Sequence, residues 1–472
     1  MTTNDNSPAQ LRQTFDRLRD AWQQQRPSYQ QRRDDLKRLR DRLRASKDEM
    51  CKAIDADFGR RARHETLLGE AGVVLTEIDH TLAKLKAWTG PERRSAGWKL
   101  WPAKAEIRFV PLGLVGIISP WNYPVNLALV PLVAAIAAGN HVYLKPSEHT
   151  PRSAEFLKSL LADVFPETRV AVALGGPELS AGFAALPFDH LFFTGSTAVG
   201  RKVMAAAAEN LTPVTLELGG KSPAIIGETA DLAKAAARVA TGKFFNAGQT
   251  CIAPDYVLVH ESRRDAFVEL LRQQIASRYP AKRGLEDYTS IINTAQHERL
   301  QRLLRDAEAR GHRVVPLLDG LPDASQRPRL LSPTLVIEPD RDSAVMGEEI
   351  FGPILPIVSY RSIDEAVQYV RDKDRPLALY CFSRSEPEIE AVLSRIVAGG
   401  VCVNDTLYQF GCSDLPFGGV GASGMGHYHG REGFLTFSKA MSVLRKFDPA
   451  PSDLIRPPYK GLPDWVIRFL AR

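Results

Sequence analysis

The chain has 472 residues, 44% apolar and 25% charged, a balance that excludes a disordered, collagenous or low-complexity protein and leaves room for two or three packed domains. Its 61 basic and 55 acidic residues leave a net charge of only +6, so no nucleic-acid partner is expected. Five cysteines (Cys51, Cys251, Cys381, Cys402, Cys412) show neither CxxC spacing nor a Cys/His ligand cluster, which speaks against a zinc site and a disulfide framework and for reduced thiols in the cytoplasm.

Along the chain, the first residues carry Asp5, Asp16 and Asp20 without a continuous apolar core, so no secretion signal is read. From Leu11 to Ile54 the pattern is helical and polar, with Leu36, Leu39 and Leu43 at three- and four-residue spacing, and it predicts surface helices. Arg93 to Pro111 and, much later, Phe437 to Lys446 can extend into β-ribbon without an evident place in a sheet. After Lys104 short Val/Ile/Leu runs alternate with helical patterns, the texture of parallel strands joined by crossover helices. Strands are predicted at Leu114 to Ile118, His141 to Leu144, Val170 to Leu174, His190 to Phe193 and Thr215 to Leu218. Helices begin near Pro124, Pro151, Pro177 and Ala198, giving a doubly wound, Rossmann-type sheet. The longest apolar stretch, Leu127 to Ala138, contains Pro131 and is far short of the roughly 20 residues that cross a bilayer, so no membrane partner is expected. A second α/β domain follows, with strands near Ala224, Val257, Leu355, Leu379 and Val401 and helices over Ser262 to Ser277 and Ser362 to Arg371.

The chemistry is concentrated at a few strand and helix ends. In Phe244-Phe245-Asn246-Ala247-Gly248-Gln249-Thr250-Cys251 a single thiol follows a small polar loop, where it can be reached. A free thiol titrates at about 8.5 and needs a partner to act as a nucleophile, and a thioester made from it needs an activated water to leave. Glu217, which ends a strand before Gly219 and Gly220, has the chemistry of that base. In Ser119-Pro120-Trp121-Asn122-Tyr123-Pro124 two prolines fix an amide that can donate to a developing oxyanion or, alternatively, cap the next helix. Lys145 and Glu148 end another strand with a charge pair suited to ribose hydroxyls and phosphate, and Gly195 to Gly200 open a helix with small residues, though not in GxGxxG spacing. His427 and His429 stand two apart without a third ligand and read as surface or interface residues, so no metal is expected.

SPWNYP, LKPSE, FTGST, LELGGK, FFNAGQTC, EEIFGPI and PFGGVGASG occur between about Arg93 and Lys446 in the order seen in the aldehyde dehydrogenase superfamily, which the chain therefore resembles, its class 3 branch most of all. The resemblance implies an NAD(P)-dependent oxidation of an aldehyde to the acid, with Cys251 as nucleophile, Glu217 as general base and Asn122 as oxyanion donor. It implies that Lys145 and Glu148 hold the adenosine ribose, that Gly195, Ser196 and Gly200 border the pyrophosphate, and that Glu349 and Phe351 hold the nicotinamide ribose and ring. Trp121, Thr194, Leu218 and Gly219 are counted as further cofactor contacts. Tyr123, Phe245, Phe410 and Phe417 are expected to wall an apolar tunnel for an aromatic aldehyde such as coniferaldehyde or a medium-chain aliphatic one. NAD is the favoured cofactor, because Glu148 would repel a 2'-phosphate, with NADP also accepted.

The division the resemblance implies is an NAD(P)-binding domain over 1–92 and 112–216, a catalytic domain over 217–425, an oligomerisation ribbon over 93–111 and 426–446 that suggests a homodimer, and a tail over 447–472. Two alternatives stay open: a CoA-acylating dehydrogenase, against which Glu217 argues, and a catalytically silent homologue, against which the three intact catalytic residue types argue.

Overall fold

Short apolar runs without polar alternation must be covered on both faces, and that requirement organises the molecule. The computed structural model describes residues 7–280, 285–318, 327, 329–448, 457 and 459–471, so part of the expected 447–472 tail lies outside the described residues. In chain order the strands are β1 (Glu92–Arg94), β2 (Lys104–Pro111), β3 (Leu114–Ile118), β4 (His141–Lys145), β5 (Val170–Val172), β6 (His190–Thr194), β7 (Val214–Glu217), β8 (Pro223–Ile226), β9 (Tyr256–His260), β10 (Arg313–Pro316), β11 (Thr334–Ile337), β12 (Ile354–Tyr360), β13 (Ala378–Phe382), β14 (Gly400–Val403), β15 (Gly424–Met425) and β16 (Ser438–Arg445).

The first sheet has the order β15-β7-β6-β3-β4-β5. Every residue of β3, β4 and β6 is buried, as parallel strands under helices on both faces require. Helices Asn126–Ala138, Pro151–Val164, Pro177–Ala184 and Thr197–Ala208 make the crossovers. The apolar stretch with Pro131 is the first of these, buried at all of its positions because it is apolar all round. Strand order reverses between β3 and β6, and ligands of doubly wound sheets bind in the crevice at such a reversal. The edge strand β15 comes from far along the chain and pairs antiparallel with β7, Gly424 against Glu217.

The second sheet has the order β10-β11-β12-β9-β8-β13-β14, parallel except for the β10–β11 edge. Strands β10 and β11 were not expected from the sequence. The two segments without an evident place pair with each other: β2 and β16 run antiparallel over their full lengths, with β1 on the outer side, as a separate three-stranded sheet. Within the expected ribbon stretch 426–446, Gly430–Thr436 is instead a helix packed on helices Asn126–Ala138 and Val73–Trp88. The N-terminal helices are surface helices on one side only, since Leu36, Leu39 and Leu43 are completely buried in the main core.

Candidate active site

Three strand ends meet at the reversal point. β3 runs on into Pro120–Asn122, β6 into Gly195 and Ser196, and β7 ends on Glu217 before Leu218 and Gly219. They border a cleft of about 250 Å³ that is also lined by Trp121, Thr194, Glu349, Phe351 and Cys251. Lys145, Glu148 and Gly200, expected at the same site, do not line this cleft. Lys145 is buried at the end of β4, with Nζ 2.9 Å from Glu148 Oε2. Gly200 lets its helix close on the sheet, because a Cβ there would lie 2.6 Å from Leu218 Cδ2.

Cys251 is presented by a turn held against its intrinsic preference. Asn246 and Ala247 both sit in the left-handed region, at φ 53° and 51°, a conformation that non-glycine residues adopt at a cost of about 1–3 kcal/mol and that clusters at functional sites. Gly248, φ 73°, is required as glycine, since a Cβ would meet the Gly352 carbonyl at 2.3 Å. The buried Gln249 side chain holds the turn: its Nε2 donates to the Asn246 and Ser290 carbonyls at 3.0 and 3.1 Å, and its Oε1 accepts from Ile292 N at 2.9 Å. The Gln249 carbonyl in turn accepts from Asn122 Nδ2 at 3.1 Å, so the Asn122 amide faces the nucleophile loop and does not cap the following helix.

A second cavity, about 320 Å³ and lined chiefly by apolar side chains, also borders Cys251. Tyr123, Phe245 and Phe410 line it, together with Leu68, Val73 and Tyr408, which the sequence did not single out. Tyr123 is fixed by a 2.7 Å hydrogen bond between its hydroxyl and Thr250 Oγ1. Phe417, expected in this wall, lines the first cleft instead. Cleft and tunnel share Cys251.

A thiol at the junction of a crevice at the sheet's reversal point and an apolar tunnel agrees with what sequence comparison returns, for the model of the aldehyde dehydrogenase family matches residues 3–443. The chain belongs to the aldehyde dehydrogenase family. It is 48% identical over 412 residues to a coniferyl aldehyde dehydrogenase of Pseudomonas sp. strain HR199, covering 86% of this chain and 85% of the relative. It is 42% identical over 396 residues to a rat enzyme named aldehyde dehydrogenase, dimeric NADP-preferring, covering 84% and 85%. The substrate-bound AldH of Staphylococcus aureus superposes with a TM-score of 0.92 at 40% identity, covering 98% of this chain and 99% of that one. This protein is an NAD(P)-dependent aldehyde dehydrogenase with the α/β fold of that family.

The electrostatics of the dehydrogenase's site follow from burial. Glu217 is almost fully enclosed, neither carboxylate oxygen has a hydrogen-bond partner among the described residues, and desolvation holds its carboxyl well above the ordinary range. Burial, with the negative charges of Glu349 and Glu217, pushes the Cys251 thiol up to about 12. Burial and the neighbouring Asp255 push Glu349 up to about 8, against the opposing pull of the Gly220 N–H and of Lys221 and Arg299.

The loop bearing Glu349 and Phe351 is braced by residues that sequence reasoning missed. Lys221 Nζ donates to the Val345 and Glu348 carbonyls at 2.8 and 3.0 Å and also bonds Asp255. Asp255 Oδ1 accepts from Ile350 N at 3.0 Å, and Arg299 donates to the Glu349 and Ile350 carbonyls at 3.2 and 2.5 Å. Lys221 lay inside the LELGGK motif and was a findable signal; Arg299, on a helix between the motifs, carried none. His429, read as a surface or interface residue, is buried instead, its ring stacked on Phe417 at 5.3 Å and edge-on to Phe410 at 4.7 Å. Burial lowers it to about 3, so it is a neutral packing group. His427 is half exposed and pairs with Glu432 at 3.3 Å.

The cleft suits the nicotinamide and phosphate portion of a dinucleotide. Thr194 Oγ1, in its lining, is buried without a hydrogen-bond partner among the described residues. Ser196 caps the helix Thr197–Ala208, whose N-terminus carries the partial positive charge that favours phosphate. At Gly219 a Cβ would lie 2.1 Å from Glu349 Oε2, so the glycine keeps that carboxylate at the cleft wall.

Proposed function

We propose that this dehydrogenase oxidises an aromatic aldehyde such as coniferaldehyde, or a medium-chain aliphatic aldehyde, to the carboxylic acid through a thioester on Cys251. The observation that carries the reading is that Cys251 borders both the apolar tunnel and the polar cleft. The aldehyde enters through the tunnel and the Cys251 thiolate, formed by loss of the thiol proton to water, attacks its carbonyl carbon, while Asn122 Nδ2 and the Cys251 backbone N–H donate to the oxygen as it gains charge. An oxidised nicotinamide held by the cleft residues would supply the hydride acceptor and a positive charge. Glu217, once ionised, then takes a proton from the water that hydrolyses the thioester, and the burial that raises its pKa makes it the stronger base.

Trp121, Thr194, Gly195, Ser196, Leu218, Gly219, Glu349 and Phe351 are the proposed nicotinamide and pyrophosphate contacts, with Lys145 and Glu148 toward the adenosine ribose. NAD is favoured because the Glu148 carboxylate would repel a 2'-phosphate; the adjacent Lys145 ammonium and the NADP-preferring rat relative support NADP as a second cofactor. The coniferyl-named relative and the aromatic tunnel wall support the substrate class. We assign residues 1–92 and 112–216 to cofactor binding, 217–425 to catalysis, and the β1-β2-β16 ribbon to a homodimer, in the cytoplasm where its free thiols stay reduced.

The test is product analysis of wild type and Cys251→Ala on aromatic and aliphatic aldehydes, each with both nucleotides and with or without CoA. Free acid from wild type alone, in stoichiometry with reduced cofactor, is the expected result. Acyl-CoA as the product would replace the hydrolytic assignment by the acylating one.

A further inference from the structure

Two charged side chains beneath the site are enclosed and take no part in the chemistry described above. Arg61 and Glu70 form a salt bridge at 3.2 Å with both side chains at 0% exposure. Such a pair gives little net stability, because its desolvation offsets its attraction, so its position is the informative feature. Each partner also bonds one turn, the one between β3 and the helix Asn126–Ala138, while Arg61 Nε and Nη2 are buried without a hydrogen-bond partner among the described residues.

Arg61 Nη1 also donates to the Asn122 carbonyl at 2.9 Å. Its guanidinium lies over the Tyr123 ring, 4.8 Å from the centroid, and over Phe58 at 4.9 Å. Glu70 Oε2 accepts from the backbone N–H groups of Val125 and Asn126 at 3.1 and 2.7 Å. Glu70 sits on the π-helical turn Leu67–Gly72, a widened geometry that often marks functional positions, and the Gly69 carbonyl of that turn accepts from Asn126 Nδ2 at 2.9 Å. The same Asn122 carbonyl accepts from Asn246 Nδ2 at 3.0 Å, which ties it to the turn that presents Cys251. An ion pair from the N-terminal helices thus grips Asn122 on one side while the nucleophile loop grips it on the other.

We infer that Arg61, held by Glu70, is a positioning residue that sets the Asn122 amide at oxyanion distance from the Cys251 sulfur. The inference rests on the reading of Asn122 as oxyanion donor. A charge-assisted bond to a carbonyl inside a dry site resists rotation of the peptide, and an amide displaced by an ångström loses most of its hold on a developing oxyanion. Glu70 keeps the guanidinium aimed at that carbonyl.

The experiment is a double-mutant cycle on the first-turnover burst of reduced cofactor, with saturating NAD and propanal, an aldehyde too short to depend on the tunnel wall. Arg61→Met is expected to slow the burst about tenfold in the wild-type background and less than about twofold in Asn122→Ala, because the residue through which it acts is gone. A merely structural role would slow both backgrounds by the same factor, and that result overturns the inference, as does an unchanged burst in Arg61→Met. An Asn122→Ala enzyme as fast as wild type overturns the reading of Asn122 itself, which separates the two failures. Should Arg61→Met fail to fold, as judged by circular dichroism, Arg61→Met with Glu70→Gln removes both charges together and serves in the same cycle.

Discussion

Glu217 ends β7 paired with Thr194 on one side and Gly424 on the other, so the proposed base is held by main-chain ladders on both neighbours while its carboxylate is left without a hydrogen-bond partner among the described residues. The backbone is fixed and the reactive group is free.

Glu217→Gln is therefore expected to fold normally and give a first burst of reduced cofactor, then turn over about 10²- to 10⁴-fold more slowly. Stopped-flow absorbance of the burst and the steady state separates the two phases; loss of the burst as well would assign Glu217 to acylation. Because burial raises the folded-state pKa above the unfolded value near 4.5, the stabilising contribution of the neutral carboxyl is fully present below that value and is lost as pH rises through the folded pKa. Thermal melts at rising pH should thus show the Gln variant gaining on wild type.

Gly219→Ala should weaken cofactor binding about tenfold or more with the melting temperature little changed. The added methyl meets Glu349 Oε2 at 2.1 Å and displaces the carboxylate from the cleft wall, whereas the backbone angles there suit any residue. Fluorescence titration with reduced cofactor reads the change, and an unaltered Kd would remove Glu349 from the ribose site.

Removing the Glu148 charge should move the enzyme toward NADP. In Glu148→Gln the ratio of kcat/KM for NADP over NAD is expected to rise on the order of tenfold, since a like charge opposite the 2'-phosphate is gone while Lys145 remains. A ratio that does not move would place the ribose elsewhere.

Phe410→Ala should raise KM for an aromatic aldehyde with little effect on propanal. The ring is half-buried in the tunnel wall, and losing contact with it costs a bulky substrate about 1–2 kcal/mol of binding. Phe417→Ala, in the lining of the cleft, should act on the cofactor instead, and steady-state kinetics on both substrates distinguish them.

The chain order of Asn122, Glu217 and Cys251 within their motifs, and the apolar runs that become β3 to β7, were readable before any fold was known, because strand burial and turn chemistry are written in neighbouring residues. Placement across elements was not. His429, two residues from His427 and without a third ligand, was read as a surface or interface residue yet stacks on Phe417, and Phe417 was read into the tunnel yet lines the cleft. The ribbon strands β2 and β16 had no visible place until they paired with each other across more than three hundred residues of chain.

The sequence by itself determined which side chains are of reactive type and on what kind of element each stands, since those properties depend on residue type and local spacing. Only the tertiary structure decided that a cleft and a tunnel converge on one sulfur, and that Arg61 and Glu70 grip the turn holding Asn122. Those contacts join distant segments through shape and exclusion of water, and no periodicity in a single stretch of chain records them.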